Sequence, residues 1–311
     1  MLRLWVLFVM SWMLGCSIAS AVEGPKLVLQ KVTDSTYYAE GLFELGTPLN
    51  QNFISNAGVV IAPEGVVVID ALGSPALAKR LVVEIEKLTN KPIQYVIVTH
   101  YHADHIYGLQ VFRDLGAKII AQEKGKLYLT SETAKLRLEV SRKDLAPWVD
   151  TSTELQAADV WVIDDESVML SGWQFDLIKV GPAHTPDDLA VFVPQEQVLF
   201  AGDLMFQGRI PFVGNADSAG WIKSLDRLMT LSPQVVVPGH GPTSSNPAED
   251  LKFTRDYLKY LRDTMREPAL NLDDFDSAYK AADWTPYESY PLFKAANRMN
   301  AYNVFLSIQS E

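Results

Sequence analysis

Residues 93–105 read Ile93-Gln94-Tyr95-Val96-Ile97-Val98-Thr99-His100-Tyr101-His102-Ala103-Asp104-His105. The short apolar run Ile93 to Val98 predicts a buried strand, bounded by polar residues on both sides. Four donor-bearing side chains follow at its carboxyl end. His100 and His102 are two apart where the chain leaves the pleat, whereas Asp104 and His105 enter a loop or first helical turn, where side chains diverge. One short segment therefore offers donors aimed in two directions, an arrangement that suits two neighbouring ions better than one.

The remaining histidines extend this reading. His184 lies in Gly181-Pro182-Ala183-His184-Thr185-Pro186-Asp187-Asp188, and His240 in Val237-Pro238-Gly239-His240-Gly241, so all five histidines of the chain fall in three segments. Each of these two follows a predicted strand and sits beside Pro and Gly, as expected of loops gathered at one sheet edge. Asp203, in Leu199-Phe200-Ala201-Gly202-Asp203, is read as ending another strand, and its two oxygens suit it to bridge ions. Neutral imidazole is the commonest protein ligand for zinc. A lone histidine more often packs than ligates; the H-x-H-x-D-H clustering is what decides for metal. Five histidines and two aspartates provide three terminal ligands for each of two ions, one shared carboxylate and an open position, the mark of a catalytic site.

Around these segments the pattern is layered α/β. Leu27 to Tyr38 reads as a strand, and Phe53–Ile61 with Gly65–Asp70 as a hairpin turned by Pro63-Glu64-Gly65. Pro75 to Leu88 reads as a helix, a second helix is expected near Asp104, and Lys118 to Ala121 is the next strand. Residues 124–150 give no clear pattern. Strands are expected over Val160–Leu170, Gln174–Val180, Leu189–Val193 and Gln197–Ala201. Helices are expected over Ala219–Leu231, Pro247–Arg266 and Lys294–Ile308. We read residues 22–311 as one catalytic domain with a helical C-terminal extension from about residue 247.

The chain has 311 residues, 48% hydrophobic and 21% charged, with a formal charge of −11. That balance, without a Lys/Arg cluster, argues against nucleic acid and anionic membranes and leaves a small-molecule substrate as the expected partner. Residues 1–21 read as a signal peptide: Arg3, then the apolar run Leu4 to Leu14, then Ala19-Ser20-Ala21 as a cleavage site. The apolar run is short for a membrane span, so none is expected in the mature chain. The single cysteine, Cys16, lies in this segment; lipidation there is the alternative to cleavage after Ala21. Beyond it no thiolate ligand, disulfide or cysteine nucleophile is available. The expected location is periplasmic or secreted, with any protein partner unknown.

Over roughly residues 32–241 the chain resembles the metallo-β-lactamase superfamily, on Asp70 after the early hairpin, T-H-Y-H-A-D-H, G-x-x-H-T-P, A-G-D and P-G-H-G. The resemblance implies an α/β fold (α+β by some schemes), a four-layer αβ/βα sandwich with metals at one edge of its two sheets. It assigns His100, His102 and His184 to a first ion, Asp104, His105 and His240 to a second, Asp203 as their bridge and Asp70 as a support behind them. It implies two Zn2+ per chain, with Fe or Mn also suited to these donors. The function it implies is an exported binuclear zinc hydrolase in which water activated between the ions attacks an ester, thioester, lactone or related bond, with Asp104 and Asp203 catalytic. True β-lactamases typically carry cysteine or serine in place of Asp203, so the aspartate is more similar to glyoxalase II, lactonases and alkylsulfatases. The exported chain is also similar to a periplasmic SoxH-like branch associated with quinoproteins. Alternatives are a class B β-lactamase-like amide hydrolase, an iron-dependent redox enzyme resembling sulfur dioxygenases, and a non-catalytic metal-binding periplasmic protein.

Substrate-facing residues are less marked. The Gly41–Asn52 loop, with Phe43, Leu45 and Pro48, reads equally as an apolar flap or an ordinary connection. Tyr101, Tyr107 and Asp188 neighbour ligands and either orient substrate or pack behind the site. Arg209 and Lys179 have the charge to neutralise an anionic substrate, but read as solvated surface groups. Phe192, Trp221 and Phe253 read as core.

Overall fold

The computed structural model describes residues 24–311, so the leader assigned to residues 1–21, with Cys16, lies outside the described residues. Two sheets stack face to face. The first runs in the order β1 (Leu29–Lys31), β2 (Thr36–Ala39), β3 (Ala57–Ile61), β4 (Val66–Ile69), β5 (Ile93–Ile97), β6 (Lys118–Gln122) and β7 (Val160–Val162). The second contains β8 (Glu166–Leu170), β9 (Trp173–Lys179), β10 (Leu189–Val193), β11 (Val198–Phe206) and β12 (Val235–His240), in the spatial order β12-β11-β10-β9-β8.

Alternation along the strands builds the layers. On β4, Val67 and Ile69 face the second sheet and join Ile97, Val191, Phe200 and Val237 in the central layer. Val66 and Val68 point the other way, against Leu77, Ala78, Leu81 and Ile85 of α1 (Pro75–Glu86). All four β4 residues are buried, which is why the strand is apolar throughout instead of alternating with polar residues. Each fully buried aliphatic side chain contributes about 1.5–3 kcal/mol relative to exposure. The outer face of the second sheet buries Leu199, Leu204 and Val236 against Trp221, Leu225 and Leu228 of α6 (Ser218–Thr230). The result is a helix–sheet–sheet–helix sandwich, as expected.

Helices α2 (Ala103–Ile106) and α3 (Leu109–Asp114) carry the chain from β5 to β6. The unpatterned stretch before residue 150 forms α4 (Gly125–Leu129) and α5 (Glu132–Asp144). The second of these has a largely charged sequence with few buried residues, Ala134, Leu138 and Ser141, so its apolar period is weak. At the carboxyl end, α7 (Pro247–Leu270), α8 (Phe275–Ala281) and α9 (Phe293–Gln309) pack on the second sheet's outer core through Tyr257, Leu261, Val304 and Phe305.

Three strand expectations change. Leu27–Tyr38 is a hairpin of β1 and β2, paired Leu29 to Ala39, not one strand. Val160–Leu170 is broken into β7 and β8, which belong to different sheets. Residues 163–165 carry the chain across, where Asp165 accepts from the Lys179 backbone and Arg227 pairs with Asp165. Apolar patterning cannot show such a crossing, because both flanking pieces are strand-like. The third change is β11: it runs past Ala201 to Phe206, so Asp203 lies inside a strand. Gly202, at φ 52, interrupts the β11–β12 register there, and a bulge of this kind re-aims the following side chain.

Candidate metal centre

The site forms where parallel strands end. β4 and β5 pair in parallel in the first sheet, as do β11 and β12 in the second, so Asp70 and the 99–105 segment meet Asp203 and His240 at a common edge. Crevices at the carboxyl ends of such strands are the usual ligand sites of α/β sheets.

Hydrogen bonds set three of the imidazoles. The Thr99 hydroxyl donates to Asp70 Oδ2 at 2.8 Å, leaving its oxygen to accept from His100 Nδ1 at 3.1 Å. His105 Nδ1 lies 2.8 Å from the same Asp70 oxygen. His240 Nδ1 lies 2.7 Å from the Ile54 carbonyl, which can only accept. In its neutral form each ring therefore carries its proton on Nδ1 and presents a bare Nε2 inward. His102 Nδ1 and His184 Nε2 face each other at 3.1 Å.

Asp203 sits at the centre. Its Oδ2 is 3.8 Å from His100 Nε2, 3.4 Å from His184 Nε2 and 3.3 Å from His240 Nε2; its Oδ1 is 3.2 Å from His105 Nε2. Asp104 Oδ2 is 3.3 Å from His240 Nε2 and 3.7 Å from His105 Nε2. The donors divide into two groups, His100, His102, His184 and Asp203, and Asp104, His105 and His240, with the donor atoms of each group within 4.8 Å of one another.

This geometry fits cations. Two donors each 2.0–2.1 Å from one tetrahedral zinc are roughly 3.3 Å apart, and the separations above bracket that value. His100 Nε2, His105 Nε2 and Asp203 Oδ1 are buried without a hydrogen-bond partner. Buried polar atoms are rarely left so; a positive ion in each group, with Asp203 between them, accounts for all three.

Electrostatics point the same way. Burial holds His100 and His102 below the ordinary imidazole value and takes His184 down to about 3, keeping them neutral donors. Burial opposes charge on His105 and His240 too, but Asp203 and Asp104 outweigh it and raise both. Burial alone would raise Asp104 and Asp203; facing His105 and His240 instead holds both below the carboxylate range. The carboxylates stay ionised and attract positive charge.

Neighbouring residues hold the donors in place. A Cβ on Gly239 would lie 2.0 Å from Asp203 Oδ1, so only glycine lets β12 pass behind this carboxylate. Asn56 donates to the Pro238 and Gly241 carbonyls at 2.8 and 2.7 Å and accepts from Gly41 at 3.0 Å, joining the first half of the chain to the His240 turn. Phe206 stacks on His240 with centroids 5.0 Å apart, and Trp221 meets His184 edge-on at 5.1 Å. Asp188 is buried and accepts from the Thr185 backbone and hydroxyl at 2.7 and 2.8 Å, shaping the His184 loop. Asp187 accepts from the Tyr101 backbone at 2.9 Å.

The site opens into a cavity of about 680 Å³, bordered by Leu45, Ile54, Val140, Phe212 and Val213. The Gly41–Asn52 loop thus contributes to the wall, and Trp148 donates to its Pro48 carbonyl at 2.8 Å. Tyr101 does not border the cavity: its ring stacks near Trp161 in the core, and its hydroxyl donates to Gln156. Tyr107 is buried and donates to Ser141. Lys179 is half-buried beside the crossing between sheets, where it donates to the Ile163 carbonyl. Phe253 is only partly buried, unlike Phe192 and Trp221. Arg209 overturns its sequence reading: it is 1% exposed and borders the cavity, because β11 extends far enough to carry it inward. Sequence reasoning also missed Thr99, Asn56 and Asp187. Only Asp187 carried a signal, from its place in the His184 segment.

The sequence profile of the Metallo-beta-lactamase superfamily matches residues 51–240. The chain belongs to the metallo-β-lactamase superfamily. As a member it is classed with metal-dependent hydrolases. A linear primary-alkylsulfatase from Pseudomonas is 26% identical over 74% of this chain and 51% of its own length. A metallo-β-lactamase type 2 from Bacillus is 28% identical over 70% of this chain and 77% of its own. The chain thus spans about half the length of the alkylsulfatase. Among solved structures, a metallo-β-lactamase from Pontibacter korlensis superimposes with TM-score 0.58 at 23% identity, over 75% of this chain and 99% of that one. A sec-alkyl sulfatase superimposes with TM-score 0.67 at 18% identity, over 90% of this chain and 50% of that one. These superpositions show the shared fold.

Proposed function

We propose that this protein is an exported binuclear zinc hydrolase cleaving an ester, thioester, lactone or related bond of a small molecule. The observation that carries this reading is the convergence of seven donors beside one cavity, which His102, Asp104, His184, Asp203 and His240 line, with the Nε2 atoms of His100 and His105 and Oδ1 of Asp203 buried without a partner. In it His100, His102 and His184 would hold one ion and Asp104, His105 and His240 the other, with Asp203 available to either. Bound divalent ions would supply Lewis acidity and lower the pKa of a water towards about 7. The ionised Asp104, partly open to the cavity, accepts a hydrogen bond from the attacking water and orients it. Asp203 and the neutral imidazoles keep their lone pairs aimed inward, so no donor reorganises during reaction. Leu45, Ile54, Val140, Phe212 and Val213 give the wall an apolar part against which a substrate's carbon skeleton can pack. No cysteine occurs beyond Cys16, in keeping with attack by water rather than a thiolate.

Export is supported by the leader pattern of residues 1–21, and no helix among the described residues is long and apolar enough to cross a membrane. The donor set contains no thiolate, which suits zinc, iron or manganese alike; elemental analysis of the native protein decides among them. The test is a panel of lactones, thioesters, sulfate esters, phosphodiesters and β-lactams given to the zinc-loaded protein, alongside His102→Ala and Asp203→Ala. Metal content and hydrolysis should fall together. Full activity in a metal-depleted variant would refute the reading.

A further inference from the structure

The buried face of α9 breaks the apolar rule at two places. Ala296, Ala301, Val304, Phe305 and Ile308 face the core, and among them Asn297 and Asn300 are buried as deeply. A buried amide is costly unless each of its polar atoms finds a partner. Asn300 Oδ1 accepts from the Val213 amide at 2.9 Å, and its Nδ2 donates to the Pro211 carbonyl at 2.7 Å and to the Tyr257 hydroxyl at 2.9 Å. An amide N–H only donates and a carbonyl only accepts, so these partners fix the orientation of the side chain. Tyr257 donates onward to Asn297 Oδ1 at 3.0 Å, and Asn297 Nδ2 donates to the Tyr279 hydroxyl at 3.0 Å. Asn297 thus completes a network inside the helices, whereas Asn300 reaches out of it to the loop that follows β11.

That loop has little else to hold it. Pro211 has no amide hydrogen to donate, and Ile210 donates to the Pro291 carbonyl at 3.1 Å. Among the described residues, the hydrogen bonds that lead from residues 210–213 to other elements all end on Pro291 or Asn300. Both lie beyond residue 240, where the match to the family profile ends. Phe212 and Val213 line the cavity, followed by Gly214 and Asn215. No residue beyond His240 lines it, so the C-terminal helices act on the cavity through this loop. A wall fixed in advance spares a substrate the cost of ordering it.

We propose that Asn300 is a positioning residue that ties the C-terminal helices to the cavity wall, fixing Phe212 and Val213 and thereby setting how bulky an apolar substrate group the site accepts. Its kinetic half rests on the hydrolase reading of the same cavity; its structural half does not.

The test compares the metal-loaded full chain with Asn300→Leu, which keeps the bulk and removes all three hydrogen bonds, and with Tyr257→Phe. The second variant loses a hydroxyl of the same network but keeps both bonds from Asn300 to the loop, so it controls for general loosening. Amide hydrogen exchange is followed by mass spectrometry in peptides covering residues 208–216, with residues 236–244 as reference. In Asn300→Leu the loop should exchange about 10-fold faster, as expected for a lost hydrogen bond, while the reference stays as in the parent. KM and kcat are measured for two neutral aryl esters, one with a short and one with a branched acyl group. KM for the short ester should rise about 10-fold with kcat held within about 2-fold, and discrimination against the branched ester should shrink. Tyr257→Phe should lower the thermal midpoint and leave exchange in the loop and the ratio of the two esters at parental values. Metal content should match the parent's in both variants.

The proposal is overturned if loop exchange or ester discrimination is unchanged in Asn300→Leu, or if Tyr257→Phe alters both to the same extent. Should Asn300→Leu not fold, Asn300→Ser carries the same comparison, and rapid exchange of the loop in the parent also overturns the proposal. If the parent hydrolyses neither ester while the contrast in exchange holds, the tie between helices and wall stands and the hydrolase reading fails.

Discussion

Replacing Asp70 with Asn isolates the support behind the donors. Asp70 has φ 62, a left-handed conformation that Asn tolerates well, so the backbone is not strained. Three donors converge on its carboxylate at 2.8 Å: the Thr99 amide on Oδ1, and the Thr99 hydroxyl and His105 Nδ1 on Oδ2. Asn keeps Oδ1 for the amide, and the Thr99 hydroxyl can turn and accept from the new NH2. His105 has no such recourse. To accept from Asn it must move its proton to Nε2, the atom that faces the cluster. One hydrogen bond to a charged group, worth about 1.5–3 kcal/mol, is therefore lost. Loss of a partner behind a metal-binding histidine typically costs 10–100-fold in metal affinity, or about 1.4–2.7 kcal/mol, which agrees. Because the change acts through His105, a calorimetric zinc titration of chelator-stripped protein should show one of two binding steps weakened and the other unmoved. Two unaltered steps, in a variant folded by circular dichroism, would refute the reasoning.

Gly239→Ala should displace Asp203, since the added Cβ would lie 2.0 Å from Oδ1; about 1–3 kcal/mol of destabilisation and a lower zinc content are expected, by chemical denaturation and elemental analysis. The metal-free protein should be most stable near pH 6.5. Below that value the unfolded chain takes up protons that buried His100, His102 and His184 refuse. Above it the stabilisation of protonated His105 and His240 is lost as pH passes their raised folded values. Each group contributes a slope of roughly 1.4 kcal/mol per pH unit. Denaturation midpoints at pH 5, 6.5 and 8 test this, and a steady rise across the three contradicts it.

Much of the fold was legible because its signals are local. Ser74-Pro75 caps α1, with the serine hydroxyl accepting from Leu77, and the β3–β4 hairpin is announced by its turn. The split of residues 160–170 between sheets was not legible, since pairing partners are chosen over long sequence distances. Nor was the burial of Arg209. A lone arginine in a loop ordinarily faces water, and only the length of β11 and the Asn300 contacts bring it inside.

From its sequence alone this protein had a donor inventory: five imidazoles and two aspartates, each just after or within an apolar strand, which sufficed to name two ions' worth of ligands. Residue type determines what an atom can donate or accept. The tertiary structure decided where those atoms meet. Asp203 reaches both groups because a left-handed Gly202 turns it inward and Gly239 makes room for it, and the imidazoles point inward because Asp70, Thr99 and the Ile54 carbonyl take their outer nitrogens. Those contacts join residues up to 186 positions apart, a distance over which sequence pattern carries no direction and only packing of the two sheets supplies it.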